Sequence, residues 1–95
     1  MSKYIIHRDI PGVGSFSPAE YQAAAAKSNE VIATMNAEHK GIQWVHSYAT
    51  KDVMFCIYIV DNEALIYEHS ERSGFPANVV RKVTTVVDPV TAEDA

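Results

Sequence analysis

Four histidines, one cysteine and twelve acidic residues are the donors from which this chain could build a metal site or a reactive centre. None follows a zinc-finger or HExxH spacing. His46 and Cys56 are the more informative pair, because imidazole and thiolate together suit nickel, zinc or copper better than magnesium or calcium. His7 and Asp9 stand two apart on a strand or its end. They project to one face, with Cα atoms roughly 6.5 Å apart, and could share one ion. His69 falls four residues after Leu65 on the buried side of a helix. His39 closes a helix, where a cation meets the C-terminal dipole favourably.

Each of these has a plainer reading. His7 and Asp9 could be an exposed strand end, and Cys56 a small buried hydrophobe beside a satisfied His46. His69 would then donate to a backbone carbonyl. A Cys/His pair can make a nucleophilic thiolate, but Cys56 sits in mid-strand without an oxyanion-hole signature or a nucleophile elbow. No nucleophile-base-acid triad is readable. The glycines of Asp9-Ile10-Pro11-Gly12-Val13-Gly14 make a loop and not a phosphate cradle, since the third glycine of that pattern is missing.

The bulk properties narrow the partners. A net charge of -4, with eight scattered lysines and arginines, argues against nucleic acid or an anionic membrane surface. No apolar run reaches the roughly 18 residues of a membrane span. Met1 to Tyr4 lead directly into a strand containing His7, Arg8 and Asp9, unlike a signal peptide. A lone cysteine makes no intramolecular disulfide, and the expected compartment is the cytoplasm. The length of 95 residues allows one domain, with a tail that frays from about residue 90.

The elements that position these side chains follow from local pattern. Tyr4 to Arg8 reads as a first strand. Ser17-Pro18-Ala19-Glu20 is a capping box with proline at the first helical position. Tyr21, Ala24, Ala25, Ser28, Val31, Ile32 and Met35 continue from it at helical spacing, and Gly41 is the expected stop. Ile42 to Ala49 and Met54 to Val60 are strands rich in aromatic and β-branched residues, joined by a turn at Lys51-Asp52. Asp61 is the expected cap of a second helix, which runs to about Ser73 and closes at Gly74. Glu68 pairs with Arg72 one turn later on its exposed side. Val79 to Val87 is the last strand. The order is βαββαβ: an α+β, ferredoxin-like fold with a four-stranded antiparallel sheet and two helices on one face.

Strand alternation then predicts which residues meet. Placing the aliphatic row Phe55, Ile57 and Ile59 against the helices leaves Trp44, His46, Tyr48, Cys56 and Tyr58 together on the other face. That arrangement needs His46 to oppose an even-numbered residue such as Tyr58. A two-residue turn at Lys51-Asp52 would pair it with Ile57, so a longer turn or a bulge is expected. A face this apolar calls for cover, and a two-fold homodimer burying Trp44 and Tyr58 supplies it.

Five segments carry a family resemblance: Tyr4-Ile5-Ile6-His7-Arg8-Asp9-Ile10-Pro11-Gly12, Gln43-Trp44-Val45-His46-Ser47-Tyr48, Cys56-Ile57-Tyr58, Glu68-His69 and Gly74-Phe75-Pro76-Ala77. From about residue 3 to Asp88-Pro89 the chain resembles the small bacterial nickel-binding proteins of ferredoxin-like fold, a family long recorded as a domain of unknown function. The resemblance implies a homodimer, barrel-like in its assembly, that binds a nickel ion, with sequestration or storage as an expected use. It departs at position 7, where histidine stands in place of the more common glutamate, a change that favours nickel, copper or zinc over hard cations. The candidate metal ligands are therefore His46, Cys56, His69, His7 and Asp9, named from motif match and ligand chemistry. Two other readings compete. One is a small cofactor-free enzyme, monooxygenase- or isomerase-like, with Arg8, His46, Tyr48 and Glu68 around a pocket between sheet and helices. The other is a purely structural dimer.

Overall fold

The computed structural model describes residues 1–93, and the fold is the one the element order implies. Strands β1 (Ser2–Asp9), β2 (Ile42–Ala49), β3 (Val53–Val60) and β4 (Val79–Lys82) form one antiparallel sheet in the order β2-β3-β1-β4. Helices α1 (Pro18–Ala37) and α2 (Ala64–Ser73) pack on one face of it. A 3-10 turn at Val13–Ser15 lies between β1 and α1.

Helix α1 starts where its capping box places it. The Ser17 hydroxyl accepts from Glu20 N, and the Glu20 carboxylate accepts from Ser17 N. Its other end differs from expectation. The helix stops at Ala37, and His39, not Gly41, takes the left-handed position with φ 64°. Backbone bonds from His39 N to Asn36 O and from Lys40 N to Met35 O close the turn in a Schellman arrangement. Gly41 has a different part: its open Cα leaves room for the Asp61 carboxylate, which a Cβ would displace. That places Asp61 against Gly41, and the side chain serving the start of α2 is Asn62, whose Oδ1 accepts from Ala64 N. Gly74, φ 83°, ends α2 as expected.

The faces of the sheet are reversed from the arrangement expected. Tyr4 and Ile6 of β1, Ile42 of β2, Cys56, Tyr58 and Val60 of β3 and Val80 of β4 form the core with Val31, Met35 and Ile66 of the helices. Phe55, Ile57 and Ile59 look away from the helices. One reason lies in β1, which pairs with β3 so that Ile6 opposes Cys56 and Tyr4 opposes Tyr58. Its odd row carries Lys3, His7 and Asp9, whose polar groups favour the uncovered side, and this outweighs the aliphatic row of β3. Complete burial of Ile6, Met35, Ile42 and Ile66 contributes about 1.5–3 kcal/mol apiece.

The second reason is a bulge at Val45. The turn at Lys51-Asp52 is the two-residue one, with Thr50 N bonded to Val53 O, and His46 opposes Ile57. Beyond it the register shifts, so that Trp44 opposes Tyr58 and Val45 is the unpaired extra residue. A bulge was one of the expected outcomes, but it serves the opposite end. It keeps Trp44 on the helix side, while the two-residue turn sets Tyr48 opposite Phe55 and His46 opposite Ile57, on the open side.

The last strand is also shorter than expected. Pairing with β1 ends at Lys82, and Val86 and Val87 are exposed. A 3-10 turn covers Pro89–Glu93. The expected fraying of the tail falls partly on residues 94 and 95, outside the described residues.

Candidate functional site

Two regions bring chemistry-bearing side chains together, one on each face of the sheet. On the open face, strand parity groups His7, Asp9 and His46. The His7 ring meets Phe55 edge-on at 4.6 Å between centroids, and the His46 ring meets Tyr48 at 4.9 Å. In the register, His7 pairs with Phe55 while His46 pairs with Ile57, and β3 lies between their strands. The two imidazoles thus share a face without touching. Ile5, Phe55, Ile57, Ile59 and Val79, all half-buried, share that face with the charged Lys3 and Arg81.

The other candidate ligands lie elsewhere. Cys56 is buried on the helix side, so the expected partnership of His46 with Cys56 is interrupted by the sheet itself. His69 is buried between α2 and α1, its Nε2 3.1 Å from Ser28 Oγ. Among the described residues, no three His, Cys, Asp or Glu side chains gather in one chain.

On the helix side, the sheet, α1 and the loops after β1 and α2 border an open cavity of about 490 Å³. Trp44, Cys56 and Tyr58 line its sheet wall, and Ala24, Ala25 and Ser28 its α1 wall. The small side chains of α1 leave the room that larger ones would fill. Arg8 continues the buried row of β1 into this space and is 1% exposed. Its Nη1 donates to Ser70 Oγ at 2.9 Å, to Pro76 O at 2.8 Å and to Phe75 O at 3.3 Å. Its Nη2 has no hydrogen-bond partner among the described residues. Among the described residues, no carboxylate lies within ion-pair distance of this guanidinium. The Tyr58 ring centre is 5.8 Å from its Cζ.

This buried charge shapes its neighbours. Burial, reinforced by the Arg8 charge, pushes the His69 pKa down to about 4, so the ring is neutral at pH 7. Burial raises the Tyr58 phenol above its ordinary value, against the opposing pull of Arg8. Both groups are therefore uncharged near neutrality, and Arg8 supplies the charge. Of the four residues expected around an enzyme pocket, only Arg8 lines the cavity. His46 and Tyr48 face the open side, and Glu68 belongs to an ion cluster with Lys40 at 2.7 Å and Arg72 at 2.8 Å. Sequence reading placed Ser28 only on the packing stripe of α1 and gave Ser47 no role of its own. The signal for Arg8 was available: it stands in phase with Tyr4 and Ile6 at the strand period of two.

Comparison with known proteins points to one family. A family model described as "Nickel responsive protein SCO4226-like" matches residues 4–83. No curated protein matches. The crystal structure of SCO4226 from Streptomyces coelicolor A3(2) is similar in fold, with a TM-score of 0.73 and 12% sequence identity, covering 90% of this chain and all of that one. Among the described residues, no helix is long and apolar enough to cross a membrane.

Proposed function

We propose, starting from the fact that the chain belongs to the SCO4226-like family of nickel responsive proteins, that it binds Ni(II) through donors on the open face of its sheet. The observation that carries this reading is the grouping of His7, Asp9 and His46 on that face. Imidazole nitrogen and carboxylate oxygen are donors that Ni(II) accepts. One copy offers a pair, His7 with Asp9, which is fewer donors than a closed site needs. A second copy placed on the open face by two-fold symmetry brings its own His7, Asp9 and His46 to the same interface. The half-buried apolar row of Ile5, Phe55, Ile57 and Ile59 gives that association its driving force. The reading is thus a cytoplasmic homodimer, and holding the ion for sequestration or storage is the use that follows from it.

Titration of untagged protein with Ni(II), followed by calorimetry and sedimentation, tests this reading. Micromolar or tighter binding by a dimer is expected, without competition from Mg(II) or Ca(II). His7→Gln and His46→Gln each weaken binding, whereas Cys56→Ser binds like the parent. Loss of binding in Cys56→Ser, with both histidine variants unaffected, would place the donors on the helix side and overturn it.

A further inference from the structure

We infer that the helix-side cavity is a binding site for a small organic anion: a monocarboxylate whose acid group meets Arg8 and whose apolar body lies against Trp44, Phe75 and the alanines of α1. His7 and His46 lie on the opposite face of the sheet, and Asp9, at the end of β1, is the one proposed nickel donor that also borders this cavity.

A buried cation without a counter-charge is costly, and folded proteins pair such groups or leave them in water. Arg8 does neither. Its Nη1 ties β1 to Ser70 and to the carbonyls of Phe75 and Pro76, which accounts for one arm of the guanidinium. A purely structural role would be complete at that point. It explains neither the unpartnered Nη2 nor the cavity beside it. A carboxylate answers both, because it accepts from a guanidinium in short charge-assisted bonds and neutralises the charge.

The lining selects further. Ala24, Ala25, Trp44, Met54 and Phe75 present mainly apolar surface, from which an inorganic anion gains little. The volume of about 490 Å³ is that of a pocket for a small molecule. Among the lining residues Arg8 is the one cation, so the site matches a single negative charge. Tyr58, kept protonated by burial, lines the same cavity and adds no competing negative charge.

Trp44 is the chain's one tryptophan and lines the cavity, so its fluorescence reports occupancy directly. Octanoate and its uncharged amide, octanamide, are the probes, titrated into the full chain with calorimetry as a second readout. Octanoate is expected to bind at least tenfold tighter than octanamide. Arg8→Lys keeps the charge but not the fork, and binds octanoate more weakly than the parent. Ala25→Phe fills the cavity and loses both probes. Equal binding of acid and amide would remove Arg8 from the site. Undiminished octanoate binding by Ala25→Phe would put the ligand elsewhere, and no binding of octanoate below about 1 mM would end the proposal. If Arg8→Lys fails to fold, the acid-amide comparison and Ala25→Phe still decide.

Discussion

Trp44 and Ser47 are three residues apart in one strand, yet the indole Nε1 donates to the Ser47 hydroxyl at 2.9 Å. In a regular strand these side chains would point to opposite faces. The extra residue at Val45 makes the bond geometrically available, and both groups end beside the cavity.

Ser47→Ala leaves the indole N–H without this partner. The expected cost is about 1 kcal/mol, read as a lower denaturant midpoint at an unchanged slope. A change in slope instead would mean that the strand had lost its register.

His69 makes stability depend on acid. Its pKa is about 4 when folded, against 6.5 for the free side chain, so between those values the unfolded chain binds the proton and the folded one does not. Stability is complete above pH 6.5 and falls as pH drops toward 4, by at most roughly 3 kcal/mol. Comparing unfolding curves of the parent and His69→Gln across that window isolates the contribution, because the variant lacks the titrating ring.

Gly14→Ala should be more damaging than its exposed position suggests. A Cβ there would lie 2.6 Å from Thr50 O and 2.9 Å from Lys51 Cα, both backbone atoms that cannot rotate aside. Gly14 N also bonds to Lys51 O at 3.1 Å, so the loop after β1 is fastened to the β2–β3 turn. We expect a loss of about 1–3 kcal/mol, measured by thermal or chemical unfolding.

Glu38 accepts both arms of Arg72, at 3.0 and 2.7 Å, and lies 3.2 Å from Lys40. The Arg72 guanidinium, followed by Lys40, holds its pKa down to about 2. All three side chains are solvent-accessible, so the cluster is screened by salt. Glu38→Gln is expected to lower the unfolding temperature in dilute buffer and to match the parent at about 1 M salt.

Much of the fold was readable because local signals agreed. Ser17-Pro18-Ala19-Glu20 set the start of α1, Gly74 ended α2, and the alternation of helical and strand periods gave the topology. The candidate sites were less legible, because the length of one turn and one extra residue decided the faces of β2. Alternation carries face information only while the register is unbroken, and nothing in Gln43-Trp44-Val45-His46 marks Val45 as unpaired. One extra residue exchanges the faces on either side of it and so parts Trp44 from His46. The two-residue turn, which pairs Ser47 with Cys56 and His46 with Ile57, separates His46 from Cys56. The reading of β3 alone compounded this. Its two rows are both apolar, and the decision lay in β1, where Lys3, His7 and Asp9 oppose Ile59, Phe55 and Val53. His39 shows a different limit: it was expected to close α1 as a cation at the dipole, and it also takes the left-handed position expected at Gly41.

The strand order also sets a schedule for folding. β1 emerges first from a ribosome yet lies inside the sheet, between β3 and β4. Only β2 and β3 are joined by a tight turn, so their hairpin is the one pairing with a low closure cost. β1 must wait for Val53–Val60 on one side and Val79–Lys82 on the other. Contacts so distant along the chain slow folding relative to a helical protein of the same size. A nascent chain stalled before Val79 would carry β1 as an unpaired edge beside its apolar partners, the arrangement that recruits strands from other molecules.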